Sequence, residues 1–166
     1  MAEPARSGRR DCVSRQTKRC IKFGSFVLLI LYIAVLIYVC FFSEDYGRDV
    51  ITSYYRYNLI PFKEIRRFYI YRDVVGIRAF LANLFGNVLA FMPYGFFMPI
   101  LRPKLRRMNR MFLAAFLLSL TIEITQLLTR VGSFDVDDLI LNTSGGILGY
   151  LLFYIINKVR RKWNGA

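Results

Sequence analysis

The chain contains no histidine. That removes the Ser/His/Asp triad, zinc sites of the His-Glu-x-x-His kind and histidine proton relays from the chemistry open to it. Cysteine is scarce. Cys12, Cys20 and Cys40 never stand at a two-residue spacing, and two of them fall on the side assigned below to the reducing cytoplasm, so neither a metal knuckle nor a disulfide framework is expected. A Gly-rich phosphate loop is missing as well: Gly145, Gly146 and Gly149 lie inside an apolar run without the Lys-Ser/Thr ending that grips a nucleotide. Their spacing suits close approach of two helices instead. No metal and no cofactor is expected. Acidic side chains are few, 11 against 24 basic ones, and Glu123 alone among them falls within a hydrophobic run.

Long apolar runs dominate what is present. Ile21–Phe42, Ala79–Leu101, Met111–Thr129 and Leu139–Ile156 are rich in Leu, Ile, Val, Phe and Tyr, and each has the roughly 20 residues a helix needs to cross a hydrocarbon core. The expected fold is therefore all-α, a polytopic membrane protein of four transmembrane helices. The first run exceeds the apolar stretch of a signal peptide and no small-residue cleavage pattern follows it, which predicts an uncleaved anchor. Tyr38 and Val39 before Cys40 do not fit a lipidation site.

Charge orients the spans. Met1–Lys22 holds seven basic residues against Glu3 and Asp11, Arg102–Arg110 five against none, and Lys158–Ala166 four against none. Positive-inside retention assigns all three to the cytoplasm, and with them both termini. The remaining connections, Ser43–Arg78 and Arg130–Asp138, hold eight basic and eight acidic residues and face outward. This clustering accounts for the net charge of +13 without nucleic acid as a partner, and anionic inner-leaflet lipid is the expected neighbour of the basic segments. The predicted domain layout is a basic tail over 1–21, a membrane domain over 22–157 with an outer loop at 43–78, and a second basic tail over 158–166.

The outer loop carries Tyr46, Tyr54, Tyr55, Tyr57, Phe62, Phe68, Tyr69 and Tyr71, the aromatic enrichment of a membrane–water boundary. Pro61 is a good first helical residue, and Phe62, Ile65 and Phe68 or Tyr69 recur at helical spacing while Lys63, Arg66 and Arg67 lie elsewhere. A short amphipathic helix lying on the outer leaflet is predicted.

Depth follows from orientation. Asn83 and Asn87 sit about one and two turns below the outer surface and share a face. Gln126 lies about 6 Å and Glu123 about 10 Å back from Arg130, at 1.5 Å per residue. Asp135, Asp137 and Asp138 surround the start of the last span, where carboxylates satisfy orphan N–H groups, so at least one of them is expected to act as a cap. Asp138 and Asn142, four apart, continue the polar stripe inward. Asn83, Asn87, Glu123, Gln126, Arg130, Asp138 and Asn142 would be unsatisfied against lipid and should converge in an outward-facing pocket. The plainer alternative is that these groups only join helices, at roughly 0.6 kcal/mol per hydrogen bond, with Glu123 held by Arg130 or Asn87. Seven polar groups exceed what adhesion requires.

These residues resemble the VanZ family of small membrane proteins. The matching stretches run in family order: Asn58-Leu-Ile-Pro-Phe62, Asn83-Leu-Phe-Gly-Asn87 with Phe91-Met-Pro-Tyr-Gly95, then Ser119 to Gln126 and Arg130, and Asp135-Val-Asp-Asp-Leu-Ile-Leu-Asn142 through Gly145, Gly146, Gly149 and Tyr150. The resemblance covers about 58–150. It implies a protein of Gram-positive type cell envelopes, with protection against lipoglycopeptides such as teicoplanin in some members, and it adds Asn58, Pro61 and Phe62 as residues of an interfacial loop.

Three functional expectations follow. In the first, the pocket and aromatic loop bind an amphiphile, a membrane lipid, a lipid-linked wall precursor or the antibiotic's lipid tail, without catalysis. The second is an intramembrane enzyme acting on a lipid or lipid-linked sugar, with Glu123 as general base, Asp138 or Arg130 steadying charge, and Ser119 or Thr143 as nucleophile if a base stands within reach. The third is a scaffold or small transporter that associates through Gly145, Gly146 and Gly149.

Overall fold

The computed structural model describes residues 15–42, 55–71 and 77–163. The expected basic tail before residue 15, with Tyr46 and Tyr54 of the outer loop, lies outside them. Of Asn83 and Phe68 only the backbone is described.

Among the described residues, five α-helices, one 3-10 turn and two very short strands follow one another: α1 (Arg15–Phe42), β1 (Tyr57–Asn58), α2 (Lys63–Ile70), α3 (Ile77–Leu101), a 3-10 turn over Pro103–Arg106, α4 (Met108–Thr129), β2 (Phe134–Asp135) and α5 (Val136–Trp163). Four of them are long and apolar enough to cross a membrane, over Gln16–Phe42, Leu84–Leu101, Met108–Thr129 and Val136–Trp163. Each of these helices overruns the apolar run that predicts it. A helix once begun gains a backbone hydrogen bond per added residue and continues into polar sequence until a cap or a turn ends it.

α5 is the central helix. It packs most extensively against α3, then against α4, while α1 lies on α3. Glycine makes the α3–α5 contact possible: a Cβ added to Gly145 would stand 2.1 Å from the Val88 carbonyl oxygen, and one on Gly149 1.9 Å from that of Met92. Small residues four apart thus bring two backbones together, the packing role read from their spacing. Pro93 and Pro99 lie inside α3, and the Arg106 Nε donates to the Pro99 carbonyl at 3.1 Å, giving that oxygen a partner from the following turn.

The two ends of the bundle differ in chemistry. At one, the 3-10 turn with Lys104 and Arg106 touches Tyr150 and Phe153 of α5, the helix whose last turn carries Arg160, Arg161 and Lys162. Tyr150 Oη donates to the Arg106 carbonyl at 2.8 Å, and the guanidinium lies over the Phe153 ring. At the other end β1 and β2 pair in parallel, Tyr57 with Phe134 and Asn58 with Asp135. The C-terminal part of α1 reaches this strand end, where Gln126 Nε2 donates to the Cys40 carbonyl at 2.9 Å.

Candidate functional site: a polar cavity beneath the strand end

A cavity of about 40 Å³ lies among the long helices, lined by Asn87 of α3, Glu123 and Gln126 of α4, Asp138 and Asn142 of α5, and by Leu36, Val39 and Cys40 of α1. Five of the seven residues placed on the polar stripe by spacing therefore share one space. Residues three or four apart on a helix face the same way, which groups Glu123 with Gln126 and Asp138 with Asn142; the close α3–α5 contact brings Asn87 to them.

Of the remaining two, Asn83 has its side chain outside the described residues. Arg130 ends α4 in the left-handed region, φ 57°, and this turn swings its guanidinium over the Tyr55 ring, 4.7 Å from the centroid. It is not among the residues lining the cavity. The C-terminal turn of a helix puts the last side chain off the face that its spacing in the sequence suggests.

Glu123 is only 2% exposed, and its carboxylate accepts the Asp135 backbone N–H at 3.0 Å. Beside it Asn87 Nδ2 donates to Asp138 Oδ1, and Asn142 Nδ2 donates to Ser119 Oγ at 3.0 Å. Asn142 Oδ1 and Thr143 Oγ1 are buried without a hydrogen-bond partner among the described residues. A buried oxygen in that state costs about 1–3 kcal/mol, so the cavity holds an unmet demand for a donor. For the serine nucleophile weighed above, the partner seen is an amide donor, which supplies no base.

Just above the cavity the chain is held by its acidic residues. Asp135 Oδ1 accepts the Asp137 N–H at 2.8 Å, capping the start of α5, and also accepts Asn58 Nδ2 at 3.2 Å. Burial pushes the Asp135 carboxyl above its ordinary range, opposed by these two hydrogen bonds. Asn58 in turn closes its own loop, its Oδ1 accepting the Ile60 N–H at 3.2 Å.

Asp137, 1% exposed, serves a helix other than its own. Its carboxylate accepts the N–H of Phe62, of Glu64 at 2.8 Å and of Ile65 at 3.2 Å. These are the orphan donors of the first turn of α2. α2 begins at Lys63 rather than at Pro61 as expected, because Phe62 at its N-cap adopts φ 63° and contributes no side-chain cap. A non-glycine residue in that region is strained, and the Asp137 carboxylate holds it there. Spacing flagged Asp135 and Asp137 only as helix caps; nothing local could reveal that one of them caps a segment more than seventy residues earlier.

The site thus joins the segments 58–62, 87, 119–126 and 135–142 into one unit. The VanZ/LLP1 family model matches residues 29–157, a span that contains all of them. The chain belongs to the VanZ/LLP1 family. Protein VanZ of Enterococcus faecium is 31% identical over 133 residues, covering 79% of this chain and 74% of that protein. No solved structure matches the chain. With the family and the four apolar helices together, the protein is a multi-pass membrane protein.

Proposed function

We propose that this family member sits in the cell membrane with its basic end in the cytoplasm and its strand end outside, and that the polar cavity binds an amphiphile. The observation that carries this reading is the meeting of five polar side chains from α3, α4 and α5 behind an apolar wall supplied by α1. Polar groups at membrane depth are costly unless they converge on one another or on a ligand, and an apolar wall next to them suits a molecule with both a polar head and a chain.

Orientation is supported by the clustering of Lys and Arg at one end. α2 fits a helix lying in the membrane interface: Phe62, Tyr69 and Ile70 are all more than half exposed in the isolated protein, and an outer leaflet would cover them. In an envelope of Gram-positive type, the amphiphile belongs to one of three groups: a membrane lipid, a lipid-linked wall precursor or a lipoglycopeptide. Capture of it contributes to teicoplanin resistance.

Expression in a susceptible host tests this. The wild-type protein is expected to raise the tolerated teicoplanin concentration several-fold while vancomycin, without a lipid tail, is affected little, and Glu123→Gln and Asp138→Asn lose the protection. Equal sensitivity of host, wild type and both variants removes resistance from the proposal.

A further inference from the structure

We infer that the exposed face of α2 is a docking surface for membrane lipid of net negative charge, with Lys63 and Arg66 holding the lipid phosphate. This rests on the reading that α2 lies in the membrane interface and is independent of what the cavity takes. Helical spacing in the sequence groups Phe62, Ile65 and Phe68 or Tyr69, with the basic residues elsewhere. The structure divides the helix differently. Glu64 and Ile65 are partly buried, whereas Phe62, Lys63, Arg66, Tyr69 and Ile70 are all exposed. Residues three and four apart on a helix are neighbours, so Arg66 stands with Phe62 and Lys63 on one side of it and Tyr69 and Ile70 on the other. Cations and apolar side chains share one face.

The charge on that face is not met within the protein. Glu64, the acidic residue of α2, pairs with Arg67 at 2.7 Å, and among the described residues neither Lys63 nor Arg66 forms an ion pair. Asp137 already takes the N–H groups of the first turn, so an anion arriving at α2 is met by side chains and not by the helix end. When an interface covers Phe62, Tyr69 and Ile70, it carries Arg66 between them to the level of the head groups. A guanidinium fork matches two phosphate oxygens, and a nearby ammonium adds a point charge. In a zwitterionic lipid the phosphate has its own cation beside it. A head of net negative charge leaves the phosphate to the protein, and the preference comes from that difference.

Trp163 is the one tryptophan of the chain and is the last residue of α5, so Trp163→Phe with Ile70→Trp puts a single fluorophore on α2. The full-length protein is reconstituted in phosphatidylcholine vesicles with a minor share of phosphatidylglycerol, bromine being carried on the acyl chains of one lipid or the other. Quenching is normalised to the abundance of each. Phosphatidylglycerol beside residue 70 should be enriched at least about fivefold over the bulk, the effect of one cation at an anionic surface. The enrichment should fall to unity when Lys63→Gln and Arg66→Gln are combined. It should persist when Arg160→Gln and Arg161→Gln remove charge from the other end of the bundle.

Equal normalised quenching by the two lipids overturns the anionic preference and leaves α2 in the interface. Quenching by neither overturns the interfacial reading as well. An enrichment indifferent to loss of Lys63 and Arg66, or one that vanishes with Arg160 and Arg161, places the selectivity on other residues and overturns the docking surface. Soluble polyphosphate at matched ionic strength should leave the ratio above unity; a fall to unity makes a free polyanion the occupant and overturns the lipid assignment. Should the glutamine variant fail to fold, the two lipids compared on the unsubstituted face decide alone, with raised salt, which screens exposed charges, expected to lower the enrichment.

Discussion

α1 and α5 are the same length, 28 residues each, yet they live in different surroundings. Within the membrane-spanning window of α5, 44% of the residues are buried in the protein; within that of α1 the figure is 11%. α1 is the more apolar helix, and it turns Phe26, Leu28, Leu31 and Val35 outward. α5 carries glycines, two carboxylates and Asn142 and is surrounded by α3 and α4. In water the most apolar helix goes to the core. In a membrane lipid is as apolar as leucine, so burial is decided by small residues that permit close packing and by polar groups that need partners.

Glycine gives the sharpest test of that contrast. Gly149→Ala drives a Cβ into the Met92 carbonyl oxygen, and backbone cannot yield as a side-chain tip can; a loss of at least about 3 kcal/mol is expected, read as a fall in the unfolding temperature in detergent or loss of folded protein. Gly24→Ala in α1 meets nothing within 4 Å. It should be neutral or stabilise by up to about 1 kcal/mol, since alanine favours the helix. Equal effects at the two positions would break the comparison.

Next in size is Asp137→Ala. It strips the first turn of α2 of an acceptor shared by three N–H groups, for an expected loss of about 3 kcal/mol. Proteolysis within 55–71 should accelerate, while Asp137→Asn, which retains one oxygen, recovers part of the protection. No substitution in α1 is expected to reach that segment.

The smallest effect concerns how α1 is attached. Gln126→Leu removes the donor to the Cys40 carbonyl, and Tyr32→Phe removes the hydroxyl that donates to the Ala90 carbonyl at 2.7 Å. Each should cost about 1 kcal/mol. Maleimide labelling of Cys40 is the sensitive readout, expected to quicken in Gln126→Leu and more so in the double variant. Unchanged labelling would mean that α1 is held by apolar packing alone.

The sequence made the polar stripe partly legible. Asn87, Glu123, Gln126, Asp138 and Asn142 follow from helical periodicity within apolar runs, since 3.6 residues per turn fix which neighbours share a face. Arg130 did not follow, because the left-handed turn that ends α4 lies beyond the reach of that periodicity. Ser119 was visible as a polar residue in a span, but its role as acceptor for Asn142 depends on how α4 and α5 meet. The cap on α2 was hidden altogether: Phe62 offers no local capping side chain, and its acceptor lies on α5.

Alternation of long apolar runs with basic segments determined four membrane-length helices, for an unbroken hydrocarbon core leaves the backbone no other way to satisfy its hydrogen bonds. Tertiary structure alone decided which oxygen each donor found, that α5 is the centre and α1 the wall, and that residues 58 and 135 pair as neighbouring strands. Those choices depend on distances between segments far apart in the chain, and hydrogen bonds and close backbone contacts form only within a few ångströms.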